Sequence, residues 1–147
     1  MISWKSHFLY QFDYQHWACD QLFQSLDKLS DEARKRDEGM FYKSIHGTVN
    51  HLLVSALVWG GRIKGESADY RNDQELFEDW RELKLATKQT IRQLQHWLQA
   101  QPPEFFVEEL RYSMSSGKEH VSWVHDVLTH FVTHAAHCRG QISAVAT

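Results

Sequence analysis

The chain has 147 residues, a length that fits one domain (residues 1–147) with a substantial core and leaves little room for a second. Charged residues make up 24% and hydrophobic residues 42%, the balance of an ordinary soluble globular protein. The formal net charge of −3 supplies no basic face to neutralise phosphates, which argues against nucleic acid as a partner.

Apolar residues at Phe8, Phe12, Cys19, Leu22, Phe23, Leu26 and Leu29 recur at three- and four-residue steps and predict a first helix over residues 5–29. Ser30 reads as the cap of a short helical turn, and the charged stretch 34–39 reads as loop. Ser44 caps a second helix with a stripe of Ile45, Val49, Leu52, Leu53, Ala56 and Ile63, and Gly65 stops it. Polar residues 66–72 make the crossing to a third helix over 73–99, which the pair Pro102 and Pro103 ends. Over 104–121 the period shortens toward two and Gly117 sits in a hairpin-type turn, so a short β-ribbon or irregular loop is expected there. Ser122 then caps a last helix carrying Val124, Val127, Leu128, Phe131, Val132, Ala135 and Ile142. Four long amphipathic segments with a minor β excursion predict an all-α four-helix bundle.

The longest apolar run, residues 52–59, is too short to span a membrane. Trp4, Lys5 and His7 interrupt any export-type leader, and two cysteines suit a reducing compartment, so a cytoplasmic location is the default expectation. Tryptophans 17, 59, 80, 97 and 123 are expected in the core and pocket wall. His7, His16, His96, His120 and His125 are read as surface or capping residues.

The chemistry concentrates near the end of the chain. His130, His134, His137 and Cys138 fall on one predicted helix, where residues at i, i+3 and i+4 share a face. One helix encloses a metal poorly, so a partner helix should contribute, and His51 borders the buried face of the second. His51, His134 and either Cys138 or His137 would give three ligands and leave one coordination position open, as catalytic zinc sites do. Imidazole and thiolate favour zinc, nickel, cobalt or ferrous iron over magnesium or calcium. Neither the Glu-x-x-His pairs of a di-iron bundle nor a His-Glu-x-x-His motif occurs. A Cys138–His nucleophile pair that needs no metal is a further reading.

The segments Tyr14-Gln-His-Trp17-Ala18-Cys-Asp-Gln-Leu22, Ser44-Ile-His-Gly-Thr-Val-Asn50-His51-Leu-Leu-Val, Trp59 with Arg62, and His134-x-x-His137-x-Arg139-Gly140-Gln141 together resemble the DinB/YfiT-like proteins, in order and over nearly the whole chain. The resemblance implies an up-down-down-up four-helix bundle, commonly a homodimer, holding one divalent metal on a histidine triad. Its ligand positions match His51, His134 and Cys138. The third is usually histidine, so this chain departs from the pattern, with His137 as a substitute or a weakened site as other outcomes. His130 lies outside the pattern. Family members also usually continue further than Thr147, which implies a short last helix here.

The activity implied is metal-dependent thiol transfer or isomerisation with a low-molecular-weight thiol such as bacillithiol, mycothiol or glutathione acting on a small-molecule electrophile. Arg62 and Arg139 are candidates to bind an anionic thiol or a substrate carboxylate. No general base stands out. The rival reading is a stress-associated, non-catalytic metal-binding dimer.

Overall fold

Each long helix forms where apolar residues recur every three or four positions, and each begins at an identifiable cap or strand end. A computed structural model describes residues 2–66 and 68–146. Helix α1 (Trp4–Leu26) starts at a reciprocal pair in which the Ser3 and Ser6 hydroxyls each accept from the other's backbone N–H. It ends a turn earlier than the periodicity suggests. Arg34, buried on the short helix α2 (Asp31–Lys35), donates to the Leu26 and Leu29 carbonyls and bends the chain there.

Helix α3 (Ile45–Lys64) runs from Ser44, whose hydroxyl accepts from the Gly47 N–H, to Gly65 at φ 76°. Helix α4 (Trp80–Gln99) starts later than the expected Asp73. Residues 73–79 are not helical because α3 takes up their backbone groups. The Asn50 amide oxygen accepts from the Leu76 and Phe77 N–H groups, and the Phe77 carbonyl accepts from His46 Nε2 and Asn50 Nδ2. A helix cannot form while its N–H groups are bonded elsewhere. It resumes once the Asp79 carboxylate accepts from the Glu82 N–H.

A 3-10 turn (Pro103–Val107) leads into the expected ribbon, an antiparallel pair of β1 (Glu109–Ser113) and β2 (Glu119–Trp123). Ser122 pairs with Leu110 inside β2 rather than capping a helix. Helix α5 (Val124–Val145) follows β2 directly, and the Glu108 carbonyl receives its first N–H instead of a side-chain cap. At 22 residues it is comparable with the other long helices, of 20 to 23 residues, against the expectation of a short last helix.

Helices α1 and α3 each pack on both α4 and α5, so the four long helices enclose one hydrophobic cluster. The fold is mostly helical with one small two-stranded sheet. Phe8, Phe12, Leu53, Leu83, Leu98, Leu128 and Ile142 are fully buried, and Phe12 stacks on Phe131 at 5.6 Å. Each such side chain contributes about 1.5–3 kcal/mol. Among the tryptophans expected inside, Trp80 is buried and Trp59 and Trp97 lean on the core. Trp17 and Trp123 instead stand 58% and 47% exposed. No described helix is long and apolar enough to cross a membrane.

Gly47 marks a close approach in the first turn of α3. A Cβ there would run into the Tyr42 carbonyl oxygen. Alanine is worth about 1 kcal/mol more than glycine in a helix interior. Gly47→Ala is nevertheless expected to destabilise by about 1–3 kcal/mol through overpacking, read by urea unfolding. A gain in stability would mean that the Tyr42 turn yields freely.

Candidate metal centre

Helices α3 and α5 pack in a register that sets His51 opposite His134. The two Nε2 atoms face each other at 3.2 Å, and Cys138 Sγ lies 3.6 Å from His134 Nε2. All three donor atoms fall within 4.8 Å of one another. His137, three residues from His134, is exposed and does not enter the group. His130 lies one turn earlier, its ring stacked on His134 at 5.8 Å and its edge toward Trp59.

These distances can be tested against what an ion requires. With Zn–N of about 2.05 Å and Zn–S of about 2.3 Å, a tetrahedron has N–N edges of about 3.3 Å and N–S edges of about 3.6 Å. The observed 3.2 and 3.6 Å match both. Two of the three donor–donor edges therefore fit a tetrahedral site, and the third, from His51 to Cys138, is within 4.8 Å.

The residues behind the donors hold them in usable form. His51 Nδ1 donates to the Asn72 carbonyl at 3.0 Å, which leaves the lone pair on Nε2. His134 Nδ1 meets the Ser55 hydroxyl at 3.4 Å. A hydroxyl can donate or accept, so Ser55 serves His134 whichever ring nitrogen carries the proton. A proton on His134 Nε2 can bridge to His51 Nε2; were both Nε2 atoms to hold an ion, His134 would carry its proton on Nδ1, where the Ser55 hydroxyl would accept it. The Tyr42 ring covers His51, stacked at 4.0 Å.

Burial sets the protonation. It holds His134 neutral, lowering it to about 4, with the neighbouring histidines His51, His130 and His137 adding to the effect. Burial also lowers His51, opposed by the bond to Asn72. It pushes the Cys138 thiol up to about 11, with Arg139 pulling weakly the other way. Both imidazoles are thus ready to bind, and the thiol must lose a proton to do so.

The two arginines occupy different surroundings. Arg139 is buried and donates to the Gln15 amide oxygen, tying α5 to α1. Arg62 rests against the rings of Trp59 and Tyr112, and burial pulls it below the ordinary guanidinium range. A surface cavity of about 880 Å³ between α1 and α4 is lined by the ion pairs Lys84–Asp27 and Lys88–Asp20 and by none of the three donors.

Sequence reasoning missed Asn72, Ser55 and Tyr42. Ser55 lies four residues after His51, a spacing that could have drawn it in. Asn72 acts through its carbonyl, which no side-chain pattern reports.

A helical bundle with two imidazoles and a thiol converging from facing helices defines the class: a protein built around a site fit for one transition-metal ion. The chain belongs to the DinB family, whose sequence profile it matches over residues 5–147. No curated protein and no solved structure is similar enough to match.

The protonation states fix how metal affinity should vary with pH. Near neutrality the imidazoles are already unprotonated, so only the Cys138 proton is displaced. Between about pH 7 and 8, zinc affinity should rise about tenfold per unit, followed by chelator competition. Cys138→Ala should bind more weakly and lose the slope. A slope persisting in that variant would move the titrating ligand elsewhere.

Proposed function

We propose that this protein is a metal-dependent thiol S-transferase of the detoxification type, holding one divalent transition metal, with zinc or nickel foremost. The supporting observation is the donor set of His51, His134 and Cys138, gathered within 4.8 Å, with two of its separations matching the edges of a tetrahedral site. Such an ion, when bound, supplies Lewis acidity that keeps a cosubstrate sulfur as thiolate at neutral pH. The chain's own residues provide the rest. Asn72 and Ser55 orient the two imidazoles, and Tyr42 screens His51 from water. Arg62 is assigned to an anionic group of the thiol or the electrophile. Arg139, engaged with Gln15, is assigned to holding α5 against α1.

Membership of the DinB family supports this reading, with residues 1–147 taken as one domain and the helices in up-down-down-up order. Two buried, unpaired cysteines suit a reducing, cytoplasmic setting. A homodimer is proposed through α1 and α5. Tyr10, Tyr14 and Trp17 stand 70%, 47% and 58% exposed, beside a trough containing Ala136 and Gly140. Trp17→Glu should halve the mass measured by light scattering, and an unchanged mass would move the interface elsewhere.

The activity test is conjugation of an aromatic electrophile to a panel of small thiols. Turnover should require added zinc or nickel, vanish with chelator and vanish in His51→Ala and His134→Ala. Ser55→Ala should bind metal about tenfold more weakly. Metal binding without conjugation of any thiol would instead favour a non-catalytic, stress-associated metal-binding bundle. Activity that survives chelation but not Cys138→Ala would favour nucleophilic chemistry at the thiol.

A further inference from the structure

His51, Ser55, Trp59 and Arg62 follow one another at helical spacing along a single face of α3. Cys138, His134 and His130 do the same on α5. The two strips meet where Ser55 touches His134 and again where His130 reaches Trp59 at 5.2 Å between ring centroids. Trp59 then meets Tyr112 of β1 at 5.4 Å, and Tyr112 stacks on its cross-strand partner His120 at 5.7 Å. Aromatic rings thus run without a break from the donor set to the hairpin.

Arg62 stands at the far end of this run. Its guanidinium carbon lies 4.5 Å from the Trp59 ring centroid and 5.3 Å from that of Tyr112. Among the described residues it makes no hydrogen bond or ion pair. The two ring centroids are themselves 5.4 Å apart, so both rings lie to one side of the guanidinium and offset part of its lost hydration. Its N–H edge, which forms paired bonds to planar oxyanions, has no partner among the described residues. An arginine stacked only to finish the last turn of α3 would need no second ring from the hairpin.

We propose that Arg62, held against the touching rings of Trp59 and Tyr112, is a carboxylate-binding subsite of the thiol transferase site. The molecule it selects is elongated, with a carboxylate far from the sulfur. Arg62 lies about two helical turns beyond Ser55, which sets a span of about 10 Å. The inference rests on the thiol reading above and adds the length and charge of the thiol.

Unbranched probe thiols measure both properties. Mercaptooctanoate spans about that distance, mercaptopropionate is too short, and mercaptooctanol has the length without the charge. Calorimetric titration of each into the zinc-loaded protein should show mercaptooctanoate binding about tenfold more tightly than either of the others. Arg62→Gln should remove the advantage over mercaptooctanol and leave mercaptooctanol binding unchanged; Arg62→Lys should restore part of it. Equal binding of acid and alcohol by the wild-type protein overturns the subsite and leaves the thiol reading standing. An advantage that survives in folded Arg62→Gln does the same. Failure of all three thiols to bind overturns both.

Discussion

The contact between α3 and α5 carries a polar seam alongside the hydrophobic core, and the residues around it are arranged to make that seam tolerable. Imidazoles at His51 and His134 and a thiol at Cys138 sit among Leu52, Val127, Phe131 and Ala135, where unsatisfied polar atoms would each cost about 1–3 kcal/mol. Every ring nitrogen of the two histidines has a partner: Asn72, Ser55 or the opposite ring. Slipping α5 by one residue would turn His134 about 100° away and bring an alanine into its place. The seam therefore specifies helix register as well as chemistry.

That specification depends on a stretch with no regular structure. The Asn72 carbonyl reaches His51 because the chain before α4 stays non-helical. It stays so because His46 and Asn50, both buried on α3, bond the backbone at 76–77. The two residues lie five and one positions before His51, so one turn-and-a-half of α3 both carries a ligand and builds the loop that orients it. His46 retains an unpartnered Nδ1, a cost accepted for anchoring Phe77.

This explains which features could be read in the sequence. The four helices and the hairpin follow from side-chain periodicity, which reports faces; that His51 meets the α5 run is set by the packing of α3 on α5, which spacing alone does not report. The helix start was misplaced at Asp73 because Leu76, Phe77, Trp80 and Leu83 keep a helical rhythm, and only contacts distant in sequence override it. Ser122 looked like a cap for the same reason: its residue type fits, but pairing with Leu110 claims it for the strand. Between Cys138 and His137, spacing could not choose, since i+3 and i+4 both suit a partner at His134. Packing separates them, turning Cys138 inward at 2% exposure and His137 outward.

Cysteine at position 138 also changes the charge the site must bear. Two neutral imidazoles and one thiolate reduce a divalent ion to a net single positive charge, whereas three imidazoles would leave both charges. A site with donors as buried as His51 and Cys138, and with Tyr42 stacked on His51, loses hydration for each uncompensated charge. In the proposed reading, one further thiolate brings the total to zero, so this donor set favours an anionic fourth ligand that completes neutrality. A neutral water would leave one charge uncancelled. Arg62 then faces the opposite end of the same molecule, and the two ends of the aromatic run ask for negative charge at both termini of what lies between them.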